Sequence, residues 1–580
     1  MKNFIFIFIL LSSFLNADKN LPAKQRAEVL IISTTMGKNR QERKAKLLSE
    51  QLKPYNISSE IIFDIKKENA KDILSKRRLI IVDALDGKGG VARLLRQYED
   101  IIEDLKIPYI ALKLNYEKYG NMEDDFAKKL LAYFGEAGKY NYAQGAALLA
   151  KKYFGFNTNP QPVHKLGKTG IYHPTKGKGT FKNLDEYLKT LSEKERSQPK
   201  IAIALHQQNI ASDDTAIVDY AIDKLNKAGI TPIAFYTEVG EDDFAGKRFF
   251  TKDGKVLVDL VLSFQVMIMD QEKLKKDYTD IGLKVMHGMV YRQGEKAEWE
   301  KDKQGISMNW IPMSYVIPEH IGYTDQMIIA ALDNESKKTT PIEYQLDMFM
   351  KIAINNSKLK QKHNKDKNIA IFYYNYPPGV NNFGASYMKY PESIENILDN
   401  MQKAGYKTQS KKADFFIKEL PKSMAYYYQN TLYDEKYADL LPYSEYMKWF
   451  SKLPLEIQKQ INKAWGKPQN NQFVIHKNSK KYFIIPRYKL GNVTLLPQPS
   501  RSNYNDKNNE AALYHDTSKP VPHHYLAVYL YVKKQNDAVV HLGTHGTYEW
   551  TYGKERGLSI YDSPLLSVGE IPNIYPYITN

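Results

Sequence analysis

At 580 residues the chain exceeds what one core holds, about 250–300 residues, so several domains are expected. Its 43% hydrophobic and 26% charged residues belong to an ordinary globular protein and exclude long disorder. The lack of cysteine excludes disulfides, thiolate metal sites and Cys lipidation, and the net charge of +17 comes from dispersed lysines with no nucleic-acid-binding motif beside them. That charge reads as a solvated surface, one that would also attract acidic small molecules.

In chain order, Met1 to Ala17 has a single cation at Lys2, an apolar run from Phe4 to Leu11 and a small residue at Ala17. This is the pattern of a secretory signal peptide, too short to span a bilayer. The mature protein is therefore expected to be periplasmic, to start near Asp18 and to have no transmembrane span. An uncleaved anchor is the alternative.

Residues 18–160 read as an N-terminal α/β domain. Glu28–Ser33, Arg78–Asp83 and Pro108–Leu112 are buried-strand runs, and a Lys/Arg-rich helix runs to about Leu52. Residues 161–355 form a second α/β region. Its strand Ile201–Leu205 is followed by a helix capped at Asp213 and Asp214, a stop at Gly229 and a return strand Pro232–Tyr236. The Lys- and Asn-rich stretch 356–366 reads as a linker. Residues 367–580 repeat the module with a strand Asn368–Tyr373 and a helix carrying Ile394, Ile397, Leu398 and Met401 before Gly405. The fold class is α/β, multidomain, with repeated strand–helix modules and parallel sheets of the Rossmann or flavodoxin kind.

Asp86-Gly-Lys-Gly-Gly90 lacks the spacing of a P-loop, and Gly167-Lys168-Thr169 lacks the first glycine because position 162 is Pro. No ATP site is expected on this chain. The densest chemistry lies near the end. His515, His523, His524, His541 and His545 are five of the 12 histidines. Tyr525–Tyr531 and Asp537–His541 read as strands, and Gly543 and Gly546 then break regular structure before Glu549. His541, His545 and Glu549 combine imidazoles and a carboxylate, the groups that hold borderline metals and move protons near neutral pH. Histidine pairs at this spacing more often bind nothing. Tyr374, Asn375, Asn381 and Asn382 follow a strand; such a loop suits a flat ring bearing carboxylates, and suits equally a rigid packed turn. Lys554 and Arg556 could pair carboxylates, and by themselves read as solvent-facing charges.

These residues carry a family resemblance. Ala464-Trp-Gly466, Gly491-Asn-Val493, Gln498-Pro-Ser-Arg501, Tyr514-His-Asp516, Pro522-His523, the His541–Trp550 block, Gly553-Lys554, Gly557-Leu558 and Pro572–Pro576 occur in the order seen in the large subunit of cobaltochelatase and the H subunit of magnesium chelatase. Tyr374–Gly379, Gly384-Ala385, Pro391–Ser393 and, upstream, Gly170–Pro174 also resemble that family, over roughly residues 75 to 580. Where the family has a Pro after the Trp-hydrophobic pair, this chain reads Trp550-Thr-Tyr-Gly553. Family members continue for about as long again beyond the position of Asn580.

The resemblance implies a tetrapyrrole-binding large subunit that inserts Co2+ into a corrin precursor, hydrogenobyrinate a,c-diamide. ATP and Mg2+ would act on partner subunits, an AAA+ ATPase and an integrin-domain-type protein, or a further chain would supply the rest of the family domain. Glu549 and His545 would be catalytic, with Glu549 taking the pyrrole protons. His541, His545 and Glu549 would meet the metal, and Trp550 would pack the site wall. Arg501, His515 and His523 would join Tyr374, Asn375, Asn381, Asn382, Lys554 and Arg556 around the ring. An exported chain sits in tension with a cytoplasmic ATP-dependent mechanism. The alternatives are a periplasmic haem or metallotetrapyrrole dechelatase and a non-catalytic tetrapyrrole-binding uptake protein.

Overall fold

The computed structural model describes residues 27–36, 38–63, 65–84, 88–112, 120–136, 138–177, 179–266, 270–336, 338–374, 379–382, 388–501, 516–543 and 549–576. The leader read over 1–17 lies outside them. Among the described residues no helix is long and apolar enough to cross a membrane. The chain divides into two compact units. One takes in the chain up to Gly167 with Gln208–Asp214 and Glu335–Lys338; the other takes in Lys168–Gln207, Thr215–Asn334 and Thr339–Asn580.

The first unit is built on a parallel sheet of β1 (Val29–Ser33), β2 (Ser59–Phe63), β3 (Leu79–Val82) and β4 (Tyr109–Ala111), in the order β2-β1-β3-β4. This is the doubly wound flavodoxin-like order. Ser59–Phe63 had no strand signal because Ser-Glu heads it and every residue is only half-buried.

The second unit holds two larger sheets. In the first, β7 (Lys200–His206), β8 (Thr231–Thr237), β11 (Leu260–Ser263), β12 (Lys284–Tyr291) and β13 (Tyr323–Leu332) run parallel. Antiparallel β5 (Thr169–Tyr172) with β6 (Thr180–Phe181) closes one edge, and β14 (Thr339–Pro341) the other. A two-stranded ribbon of β9 (Thr251–Lys252) and β10 (Lys255–Val256) stands apart. β7 is followed by a short helix, Gln207–Ala211, and the helix carrying Ile217 to Leu225 starts at Ala216 from Thr215, so Asp213 and Asp214 do not cap it. Asp214 instead meets Arg43 at 3.4 Å, and Asp213 meets Lys338 at 3.0 Å.

The other sheet has the order β19-β20-β15-β21-β22, from β19 (Tyr488–Leu490), β20 (Val493–Pro497), β15 (Ile369–Tyr373), β21 (Ala538–Leu542) and β22 (Asn573–Ile574). All are parallel except β19. β15 is apolar throughout because both of its faces are covered. Ile369, Ile371 and Tyr373 pack on helices Tyr390–Lys403 and Ala413–Tyr428. Ala370 and Phe372 pack on helix His523–Gln535. A small antiparallel sheet of β16 (Ala438–Pro442), β17 (Val474–Lys477) and β18 (Lys480–Pro486) is inserted before β19.

Two expectations are corrected here. The run Tyr525–Tyr531, read as a strand, is the middle of helix His523–Gln535. Every residue from His523 to Val532 is buried, so this part of the helix is covered all round and shows no 3.6-residue period to read. The expected linker at 356–366 is helical as far as Gln361, in helix Glu343–Gln361. Ser357 is buried and donates to Asp259 at 2.6 Å, which ties this stretch to the first of the two sheets.

The segment after Glu549 returns to that sheet. The amides of Glu555 and Arg556 donate to the carbonyls of Lys303 and Gln304 at 3.0 and 3.1 Å. Buried Gln345 accepts from the Ile560 amide at 2.7 Å and donates to the Leu558 carbonyl at 3.0 Å. Gly305 makes this approach possible. Its φ is +81°, and a Cβ there would lie 1.8 Å from the Arg556 carbonyl oxygen. Gly305→Ala is expected to destabilise the fold by about 2–3 kcal/mol, seen as a lower urea midpoint at unchanged slope. A wild-type midpoint would contradict this docking.

Candidate functional site

The carboxyl end of β15 sends the chain to helix Tyr390–Lys403 on one face, while β20 and β21 send theirs to helices His523–Gln535 and Ser563–Val568 on the other. Adjacent parallel strands whose connections diverge in this way open a crevice at their carboxyl ends, where α/β folds place ligands. Three of the sequence-predicted segments follow these strands: Tyr374 and 379–382 after β15, Gln498–Arg501 after β20, and Glu549–Trp550 beyond β21; Gln498 bonds to Tyr373, and Arg501 to Glu549 and Trp550.

The strand ends are stitched together from below. The Tyr390 hydroxyl accepts from the Tyr374 amide at 3.2 Å and donates to the Leu542 carbonyl at 2.5 Å. The Gln498 amide nitrogen donates to the Tyr373 carbonyl at 2.9 Å. Its side chain donates to the hydroxyls of Tyr525 at 2.8 Å and Tyr529 at 3.3 Å.

Tyr529 in turn reaches His541, which lies flat against Phe372 with ring centres 5.3 Å apart. His541 is 2% exposed, with Nε2 2.8 Å from the Tyr529 hydroxyl and Nδ1 2.7 Å from the Asn573 side-chain oxygen. Nδ1 therefore carries the proton and Nε2 is the acceptor. Burial pushes the pKa down to about 4, so the ring is neutral at pH 7. A metal ion could take Nε2 only by displacing Tyr529.

Glu549 is half-buried, and one carboxylate oxygen accepts from the Tyr575 hydroxyl at 2.9 Å. Arg501 is buried beneath the same loop, donating to the carbonyls of Trp550 at 2.6 Å and Glu549 at 3.0 Å. Trp550, expected to pack the wall, is 40% exposed at a φ of +47°.

The remaining predicted residues are placed as follows. Asn381 is exposed and Asn382 half-buried on the loop after β15, where Tyr374 is buried. His523 is buried at the start of its helix, donating from Nε2 to the Gly466 carbonyl at 3.0 Å and accepting from the Tyr446 hydroxyl at 2.7 Å. It holds Trp465-Gly466 rather than facing the crevice. Lys554 donates to the carbonyls of Trp299, Glu300 and Asp302, the last turn of helix Lys296–Lys301. Its ammonium thus caps a helix C-terminus. Arg556 reaches Met308 and Glu555 nearby. Asn375, His515 and His545 lie outside the described residues. Among the described residues no three His, Asp or Glu side chains converge as metal ligands.

Sequence reasoning missed Tyr390, Gln498, Tyr529, Asn573 and Tyr575 as parts of the site. Gln498, Asn573 and Tyr575 sit inside motifs already singled out, so motif membership was the available signal. Tyr529 was hidden by the strand reading of its helix.

A profile of the CobN/magnesium chelatase family matches residues 131–580. The chain belongs to that family. An uncharacterised protein of Methanocaldococcus jannaschii is 28% identical over 517 residues, 82% of this chain and 40% of the relative. The aerobic cobaltochelatase subunit CobN of Sinorhizobium sp is 25% identical over 492 residues, 80% of this chain and 37% of the relative. The catalytic subunit of cobaltochelatase from Mycobacterium tuberculosis superposes with a TM-score of 0.75 at 18% identity, over 95% of this chain and 46% of that chain. The fold is therefore shared. The chain spans less than half the length of these relatives.

In this CobN-family chain the three described histidines of the cluster, His523, His524 and His541, are buried and bonded to the framework. His524, like His523, anchors a loop: its Nε2 donates to the Ser500 carbonyl at 2.8 Å, one residue before Arg501. Burial lowers the pKa of His523 and His541 to about 4 and of His524 to about 3, from 6.5. Depressed histidines stabilise the fold above their unfolded pKa, and that stability is lost as protons bind the unfolded chain first. Unfolding free energy should thus fall as pH drops from about 6.5 toward 4. Thermal melts across that range check it; a flat profile would mean these rings are not buried neutral.

Proposed function

We propose that this CobN-family chain is the tetrapyrrole-binding large subunit of a cobaltochelatase-like enzyme. Its substrates would be Co2+ and a corrin precursor, hydrogenobyrinate a,c-diamide. ATP with Mg2+ would be used on partner subunits, an AAA+ ATPase and an integrin-domain-type protein. The supporting observation is the meeting of three family-motif segments at the divergent carboxyl ends of β20, β15 and β21, with Glu549 on the lip.

Metal entry requires two pyrrole N–H protons to leave the ring. Glu549 is the carboxylate placed to take them, and Tyr575 fixes the direction of one of its oxygens. Arg501 acts through the backbone, holding the Glu549–Trp550 segment in position. Asn381 and Asn382 would offer amide groups to the peripheral carboxylates of the ring. His541 stays neutral beneath them and supports the floor. The leader reading makes export part of this proposal, and N-terminal sequencing of the mature protein should then begin near Asp18.

Spectral titration of the purified chain with protoporphyrin, haem and a corrin precursor should show saturable ring binding, with no binding of ATP. Glu549→Gln keeps shape and polarity and removes the base. It should leave ring affinity within about threefold and slow metal insertion by about a hundredfold or more, measured with partner subunits and ATP supplied. Insertion at the wild-type rate would make the carboxylate structural.

A further inference from the structure

Trp550 combines an unfavourable backbone conformation with an exposed aromatic ring. Its backbone has a φ of +47°, a region that bulky residues rarely enter, and its indole is 40% exposed. Buried Arg501 holds this conformation by binding the carbonyls of Glu549 and Trp550, on either side of the Trp550 Cα. Strained residues held by their surroundings concentrate where ligands are gripped. Trp550 also shares a small pocket with Trp465, Arg501, Asp516, Lys519 and Pro520. The Trp465 indole N–H is fixed to the Pro520 carbonyl at 2.6 Å, so that side chain is a rigid wall. Lys519 is exposed at the rim. Arg501 and Lys519 against Asp516 leave one net positive charge, and the Asp516 carboxylate already accepts from Ser518.

We propose that Trp550 is the stacking platform for an edge pyrrole of the tetrapyrrole, with Lys519 pairing a carboxylate on the ring periphery. This rests on the tetrapyrrole reading above and assigns to it a binding subsite beside Glu549. The pocket is too small for the whole macrocycle. An edge pyrrole would lie outside it, against the exposed face of the indole, with an acid group toward Lys519 at the rim. Neither residue shares in proton transfer, so both act on affinity.

The test is titration of the full chain with protoporphyrin IX and with its dimethyl ester, followed by tryptophan quenching and the Soret band. Trp550→Leu is expected to weaken both ligands roughly tenfold, while Trp550→Phe stays within about threefold because an aromatic face remains. Lys519→Glu should weaken the free acid and spare the ester. Wild-type binding by Trp550→Leu would overturn the stacking platform and leave the tetrapyrrole reading intact. Equal weakening of acid and ester by Lys519→Glu would overturn the carboxylate pairing. Failure of the wild-type chain to bind either ring or a corrin precursor would overturn this inference together with the tetrapyrrole reading.

Discussion

The site depends on the placement of β15. A strand covered by helices on both faces can be reached by ligand only at its ends. Here the connections after β15 and after its two neighbours leave toward opposite faces. The carboxyl end is therefore open by construction, and the segments that follow the three strands have nowhere else to meet. Tyr390 bonds at once to the Tyr374 amide and the Leu542 carbonyl, keeping the ends of β15 and β21 in register where strand pairing stops.

Below the opening the sheet carries polar groups that need partners in a dry core. Gln498, Tyr525, Tyr529, His541 and Asn573 satisfy one another in a chain that crosses from β20 through the helix to β21 and β22. A neutral histidine suits this chain better than a charged one, since imidazolium would lose the bond it accepts from Tyr529. Among the described residues of the cluster, His523, His524 and His541 are thus framework groups. His523 and His524 pin Gly466 and Ser500 to one helix start.

This division explains what could be read from the sequence. The parallel modules were legible because Val29–Ser33, Lys200–His206 and Ile369–Tyr373 are short apolar runs bounded by turn residues, a pattern set by burial on both faces. Helix His523–Gln535 was not, because uniform burial erases the period that distinguishes helix from strand. The motif residues could be picked out along the chain. Their duties could not be read there: Lys554 and Arg501 are cations that look suited to carboxylates, yet both spend donors on backbone carbonyls. Such partners lie 48 to 255 positions away in sequence, beyond the reach of any local pattern.

The same long-range contacts make the lip of the crevice a joint product of two sheets. Glu549 stands at one end of a segment, its carboxylate bonded by Tyr575, and at the other end Lys554, Arg556, Leu558 and Ile560 are held by Trp299, Gln304 and Gln345 from the neighbouring module. A segment tied at both ends cannot relax freely when one tie is changed. The left-handed conformation at Trp550 is what such a short span with fixed ends can impose, with Arg501 bonded at its midpoint. The backbone that carries the Glu549 carboxylate is therefore tied through the segment that follows it to the neighbouring module, as well as to Arg501.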